Sequence, residues 1–407
     1  MNIWLVNHYA LPLQRSGGTR HYALAREWIH QGHQATLIAS NVDYMRREEA
    51  CLPPGEIARL ESMGGVPFLW LRTPPYRGNS LRRLSNMLIF AHRVVREASR
   101  HLPSPDVVIG STPHLFAAWA AYRLARRHRV PFVLEVRDLW PQTLIDVGGF
   151  SRYHPFILLL AALERFLYQR AHAVVTLLPG ASAYIAHLRG TSQGIHWIPN
   201  GVDFNLLPPP VPPPPESPFV IMYAGAHGIA NGLDIALEAA RCLHEADWGN
   251  RIHFRFIGDG PEKPRLVQQA KRWGLHNVTF EAPVPKREVY SRLQQAHAFL
   301  MILRDSPLFR WGISPNKLFD FMAMARPVIF CVRTSYNPIE AQQAGVTVPP
   351  DNPQALAEAI RAMAQIPSQA RWEMGRRGRA YVEQEHDLHK LALRFEKVLR
   401  EASNVAL

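Results

Sequence analysis

A chain of 407 residues is too long for one ordinary domain and suits two of roughly 150–200 residues each. Its 47% hydrophobic and 19% charged content excludes a disordered or fibrous chain. Cys51, Cys242 and Cys331 are scattered without CxxC or Cys/His spacing, which excludes a disulfide framework or structural zinc site and predicts a reducing compartment. Residues 1–200 carry 22 Arg and no Lys against 12 Asp and Glu, whereas residues 201–407 nearly balance, with 24 Lys and Arg against 21 acids. So asymmetric a basic excess predicts a polyanionic partner: a phosphorylated substrate, an anionic membrane or a nucleic acid.

In chain order, strands are predicted at 2–6, 34–40, 106–110, 131–136 and 173–178, with helices at 19–31, 81–100, 115–128 and 155–170. The alternation predicts a parallel, doubly wound sheet. Seven prolines among residues 208–215 exclude helix and central strand and predict a stiff polyproline spacer between domains. The alternation then restarts, with strands at 219–224, 252–257, 278–280, 298–302 and 327–332. Helices are expected at 232–244, 262–273, 286–295, 315–325 and 353–365, and two more, at 369–383 and 388–402, close the chain. The expected domains are therefore 1–207 and 217–385, joined by 208–216, with a last helix at 386–407 packing near or back onto the first domain. The expected architecture is α/β, two Rossmann-like domains facing across a cleft, with ligands at the carboxyl ends of the strands.

Residues 314–327 carry the strongest pattern, Ser-Pro-Asn-Lys-Leu-Phe-Asp-Phe-Met-Ala-Met-Ala-Arg-Pro. Ser314 is predicted to cap a helix whose first residue is Pro315. Lys317 and Asp320 then fall on one face of its first two turns, near a helix terminus that attracts anions. Lys317 suits a diphosphate and Asp320 a vicinal diol such as a ribose, while Leu318, Phe319, Phe321 and Met322 read as core. The plain structural alternative is a capped helix with a Lys317–Asp320 ion pair.

This segment resembles the signature of the retaining glycosyltransferases of family 4, which have the GT-B fold. The family pattern places Pro-x-Lys-x-x-Glu inside a Glu-seven-residues-Glu frame. Here Pro315 and Lys317 are kept, Asp320 takes the second acidic position, and Gly312 stands where the first, usually assigned to the donor sugar, belongs. The form is similar to a subgroup that builds bacterial surface polysaccharides, of the colanic-acid type that transfers N-acetyl-fucosamine or related aminosugars.

The resemblance gives other motifs expected roles. Gly17, Gly18 and Arg20 follow the first strand and would lie beside donor diphosphate and acceptor; the alternative is a tight turn. His114, just past a buried strand in Asp-Val-Val-Ile-Gly-Ser-Thr-Pro-His, would face the donor sugar, though such a His is also common as a structural residue. Arg137, Asp138 and Trp140 of Glu-Val-Arg-Asp-Leu-Trp-Pro would serve the acceptor and the transferred sugar, against a local Arg137–Asp138 ion pair and a packing Trp140. Gly225 and His227 of Ala-Gly-Ala-His-Gly stand where relatives carry Arg and Lys, so the diphosphate would depend more on Lys317 and backbone amides. Gly258 and Asp259 of Ile-Gly-Asp-Gly-Pro, and Pro283 and Val284, would line the nucleotide pocket, and Ser314, Asn316 and Leu318 complete the donor set. Ile198-Pro199-Asn200-Gly201-Val202-Asp203 would end the first domain.

Departure of a sugar from a nucleotide diphosphate builds charge on the leaving group, so catalysis needs donors aimed at that diphosphate. No Asp-x-Asp motif is present, and neither cofactor nor metal is expected. In the family's retaining course the departing phosphate acts as base, leaving His114 and Asp138 to orient. The implied function is transfer of an N-acetylated aminosugar from a UDP-linked donor to a lipid-diphosphate-linked or saccharide acceptor in cell-surface polysaccharide synthesis. A helix at 81–93 with arginines flanking apolar residues is a candidate contact with an anionic membrane. Absence of an 18-residue apolar run and of a signal peptide predicts a cytoplasmic, at most peripheral protein. The alternatives are a GT-B sugar-nucleotide epimerase and a two-lobed small-ligand binding protein. The basic residues lack an aromatic-interleaved nucleic-acid module, so nucleic acid is not expected.

Overall fold

The computed structural model describes the chain except residues 14–18, 44–47, 50–51, 77–80, 216–217 and 406–407. It divides into two compact units: Met1–Asn200 with Trp311–Ser314 and Leu388–Leu407, and Gly201–Arg310 with Pro315–Asp387.

The first unit is built on β1 (Asn2–Val6), β2 (Gln34–Ser40), a short ribbon of β3 (Val42–Asp43) and β4 (Glu48–Glu49), β5 (Ala58–Met63), β6 (Val66–Leu71), β7 (Val107–Ser111), β8 (Phe132–Val136), β9 (Ala173–Thr176) and β10 (Ile195–Trp197). Its eight-stranded sheet runs β10-β9-β8-β7-β1-β2-β6-β5. All pairings are parallel except the β5–β6 hairpin. Ile3 to Val6 of β1 and all of β7 and β8 are buried, as a sheet covered by helices on both faces requires. Leu388–Val405 packs on this unit: Trp28 meets Phe395 edge-on at 5.4 Å, and its Nε1 donates to Ala392 O at 3.1 Å.

Strands β5 and β6 were not expected. They form a hairpin whose two loop residues, Gly64 (φ +57°) and Gly65 (φ +87°), both adopt the left-handed conformation that tight hairpin loops favour. The hairpin inserts β6 beside β2 and leaves β5 as a half-exposed edge.

The second unit carries β11 (Phe219–Ala224), β12 (Ile252–Ile257), β13 (Val278–Glu281), β14 (Ala298–Ile302), β15 (Val328–Cys331) and β16 (Gly345–Thr347), ordered β13-β12-β11-β14-β15-β16 and all parallel. The order reverses at β11, the switch point where such sheets open a crevice at their carboxyl edge. The proline segment is laced to this unit. Buried Arg326 donates to Val211 O (3.0 Å) and Pro212 O (3.2 Å), and His297 Nε2 lies 3.0 Å from Pro215 O. Prolines lack an N–H but keep their carbonyls, and it is backbone carbonyls of the segment, two of them from prolines, that are used.

Candidate functional site

In the second unit, several predicted residues converge at the carboxyl ends of β11 and β12. The turn after β11 presses on the turn after β12: Gly225 N donates to Ile257 O (3.0 Å) and His227 N to Asp259 O (2.8 Å). Gly258 has φ +141°, and a Cβ there would lie 2.0 Å from Gly225 O, so only glycine permits this approach. Lys263, at the start of the next helix, locks the turn by donating to Gly258 O and Glu281 O, each at 2.7 Å. Pro283 and Val284 follow β13, with Pro283 exposed. Asp259 is exposed and accepts from Gly260 N at 2.8 Å.

Lys317 enters this cluster from the helix Asn316–Ala323, its Cδ 3.4 Å from where a Gly225 Cβ would stand. Its ammonium donates to the Tyr223 hydroxyl (2.7 Å) and to Asn231 Oδ1, and lies 4.4 Å from the Tyr223 ring centroid. Among the described residues no carboxylate pairs with it, so the local Lys317–Asp320 ion pair is not formed. Desolvation pulls its pKa down to about 7. His227 is fully buried, and neither ring nitrogen has a hydrogen-bond partner among the described residues. Burial, with Lys263 nearby, lowers its imidazole to about 4. A buried polar ring without partners is rare enough to need a cause.

Asp320, 9% exposed, accepts from the Tyr290 hydroxyl at 2.8 Å. Leu318, Phe319, Phe321 and Met322 are core, as their types predict. The expected cap is corrected. The helix begins at Asn316 with Pro315 in the cap position and no side-chain cap, while Ser314 Oγ accepts from Asn200 N at 2.9 Å. Gly312 has φ +87°, a backbone state that strains any Glu placed there.

In the first unit, the predicted residues cluster at the carboxyl ends of β1, β7 and β8, with the sides of their chains decided by packing. Arg20 is 5% exposed, donates to Glu135 Oε1 (2.9 Å) and Ile198 O (2.9 Å), and also holds Pro199 O. It therefore ties the domain's last strand to β8 and is not free for an acceptor, which corrects that expectation. Trp140, 9% exposed, belongs to the core, so the packing alternative holds for it. Arg137 is half-buried with its Nε unpartnered among the described residues, and Asp138 is exposed; the two form no ion pair. Gly17 and Gly18 lie outside the described residues.

His114 is 1% exposed and both nitrogens are engaged. Nδ1 accepts from Ala117 N (3.2 Å), capping the helix Leu115–His128, and Nε2 lies 2.6 Å from His8 Nδ1. Because Nδ1 accepts, the proton sits on Nε2 and donates to His8, which stacks on Phe90 at 4.5 Å. Burial, with Arg83 nearby, lowers the His114 imidazole to about 3, so the pair stays neutral. An open edge toward a sugar, expected for His114, is thus not present. His114→Ala is expected to cost about 2–4 kcal/mol by uncapping a helix and orphaning His8, and His114→Asn to recover part of this in thermal denaturation. His8 itself escaped sequence reasoning; its signal was a polar Asn-His-Tyr directly after β1.

Two parallel sheets of this kind, with glycine turns and a Pro-x-Lys helix at their carboxyl edges, define the GT-B glycosyltransferase fold. Residues 17–201 match the glycosyl transferase 4-like domain and residues 218–365 the glycosyl transferases group 1 domain. The chain belongs to the glycosyltransferases assembled from this pair of domains. It is similar to WcaL of Escherichia coli (strain K12), a protein assigned to colanic acid biosynthesis, with 29% identity over 200 residues that make up 48% of each chain. The match thus spans about half the length of that relative. WcaI of the same strain, assigned likewise, is 22% identical over 375 residues, 84% of this chain and 87% of that one. Among solved structures, a sucrose-phosphate synthase from Thermosynechococcus elongatus superposes with a TM-score of 0.74 at 15% identity, covering 98% of both chains. Anabaena HepE in complex with UDP-glucose gives 0.67 at 15% identity, covering 98% of this chain and 100% of that one.

Proposed function

We propose that the protein transfers a sugar from a nucleotide diphosphate, UDP-linked, to a saccharide or lipid-diphosphate-linked acceptor in surface-polysaccharide synthesis. The observation that carries this reading is Lys317: a desolvated ammonium at the β11 switch point, bonded only to neutral groups among the described residues and backed by the Gly225 and Gly258 turns. A half-buried, desolvated cation with no carboxylate partner among the described residues suits an anion, and a diphosphate supplies two charges. His227 stands beside it in place of the family's Arg and Lys, and its unpartnered nitrogens suit the same ligand. Asp320, which accepts from the Tyr290 hydroxyl, is the residue we assign to a ribose hydroxyl. Asn316, Asp259, Pro283 and Val284 complete the donor set, while buried Leu318 and the Asn200-bound Ser314 are left out of it.

On this reading Lys317 and the amides at the start of the helix Asn316–Ala323 stabilise charge growing on the leaving diphosphate. The departing phosphate takes the acceptor proton, so the course is retaining and needs neither a metal nor a protein nucleophile. Asp138 and the unpaired Arg137 orient the acceptor, and His114 acts as a positioning residue through His8. That relatives of the chain are assigned to colanic acid biosynthesis, and that a structural neighbour binds UDP-glucose, supports the donor and pathway class. An N-acetylated aminosugar is the donor sugar we favour.

The test is Asp320→Asn, which keeps an acceptor for Tyr290 but removes the charge. Nucleoside diphosphate affinity is expected to fall about 10- to 100-fold, the worth of a charged hydrogen bond, with little change in melting temperature. Unchanged affinity in titration calorimetry would overturn the ribose assignment, and no binding of any nucleoside diphosphate by the wild type would overturn the reading.

A further inference from the structure

The loop and helix at 147–170 in the first unit present a surface that the donor chemistry does not use. Leu158 and Leu159 on the helix Pro155–Arg170 are 54% and 59% exposed, and Val147, Phe150 and Tyr153 before it are 61%, 41% and 75% exposed. The helix buries Ile157, Leu160 and Leu167 on its other side. Its first half is therefore apolar on both faces, whereas an ordinary surface helix turns a polar face outward.

The charges around this face have one sign. From 147 to 170 the sole acid is Glu164. It is 2% exposed and turned inward, accepting from the hydroxyls of Tyr168 (3.0 Å) and Tyr184 (2.9 Å). Arg152, Arg165 and Arg170 are exposed, and Arg152 and Arg170 rest over the rings of Tyr153 (5.8 Å) and Phe166 (5.7 Å). No helix among the described residues is long and apolar enough to cross a membrane.

We propose that this face docks on an anionic phospholipid bilayer, its leucines and aromatic rings entering the headgroup boundary and its arginines meeting lipid phosphates. Apolar insertion needs an outward stripe, and Leu158 and Leu159 supply it beside Phe150 and Tyr153, side chains suited to the interface. Arginines at the rim lay their stems on apolar surface and extend their charge to phosphate. The helix Leu81–His101, the expected contact, is less suited. Its Met87, Phe90, Ala91 and Val94 are buried in the core, leaving Leu81 and Leu88 as its exposed large apolar residues.

Sedimentation of the full chain with vesicles tests this, comparing phosphatidylcholine alone with phosphatidylcholine plus phosphatidylglycerol. The wild type is expected to sediment with the anionic vesicles and to be released by salt. Leu158→Ser with Leu159→Ser should lower partitioning on the order of a hundredfold, and Arg152→Gln with Arg165→Gln about thirtyfold. Arg82→Gln on the other helix should leave it unchanged. Phe150→Ser with Tyr153→Ser supplies a loop variant that spares the helix should the leucine pair impair folding. Undiminished sedimentation of both apolar variants would overturn the proposal, as would failure of the wild type to bind anionic vesicles. So would a dimer, seen by gel filtration, that these substitutions dissolve without any vesicle binding. The assay contains no sugar nucleotide, so its outcome is separate from that of the donor reading.

Discussion

Lys317→Met is expected to weaken nucleotide-sugar binding by about 10- to 100-fold, the worth of charge-assisted hydrogen bonds to a diphosphate. Turnover should fall further, by about two to three orders of magnitude, because the ammonium also meets charge that grows in the transition state. The pH dependence separates this role from a structural one. The free ammonium has a pKa near 7, and a bound diphosphate raises it. Binding above pH 7 therefore takes up a proton, and affinity for a nucleotide sugar should decline as pH climbs past 7. Lys317→Met should flatten that decline, and calorimetry in buffers of different ionisation enthalpy reads the proton directly. Stability moves the other way. The native pKa lies below the unfolded value of 10.5, so the native state binds fewer protons between about 7 and 10.5 and stability rises with pH across that window. Lys317→Met removes this slope and should melt no lower than the wild type at pH 7. A melting point well below it would mark Lys317 as a structural residue and overturn the assignment.

Glu135→Ala is expected to be the most damaging substitution for stability, at about 3–5 kcal/mol. Glu135 is fully buried and accepts from Arg20 Nε (2.9 Å), Ser111 Oγ (2.6 Å) and His21 Nε2 (2.6 Å). Removing it leaves the Arg20 charge in the core without its partner, since Arg20 is itself 5% exposed. Burial pushes the Glu135 carboxyl up, but His21 and Arg20 outweigh it and hold the group well below its usual 4.5. A carboxyl depressed in the native state contributes stability in full above the unfolded value, and that contribution falls away as pH drops below 4.5 toward the native one. Chemical denaturation across pH 3 to 7 checks both points: Glu135→Gln should soften the acid limb of the wild-type profile. A wild-type stability that is flat across this range would remove the cluster from the fold's energetics.

Most of the regular structure was legible because its signal is local. Strand Asn2–Val6, helix Leu115–His128 and helix Pro353–Gln365 fall where hydrophobic periodicity and caps put them. The hairpin Ala58–Leu71 was missed since its edge strand is half-exposed and charged, although Gly64-Gly65 was the available clue. The donor helix was placed but its cap was not. Ser314 has the right chemistry for a cap, yet Asn200, 114 positions earlier, holds its hydroxyl.

The sequence by itself determined the class of the protein: strand–helix alternation on either side of a proline break, and a Pro-x-Lys-x-x-Asp helix start. These are short-range patterns, written in neighbouring residues. Only the tertiary structure decided which motif residues stay available. Arg20, His114 and Trp140 all sit in the expected motifs, but contacts more than a hundred positions apart turn Arg20 and His114 inward and core packing buries Trp140, whereas Lys317 is left without a carboxylate partner among the described residues. It also decided which helix shows an apolar face to solvent, since 81–101 and 155–170 both carry apolar residues and only packing selects the side that is covered. Side-chain direction and partner distance depend on how the whole chain closes, and no local pattern carries that information.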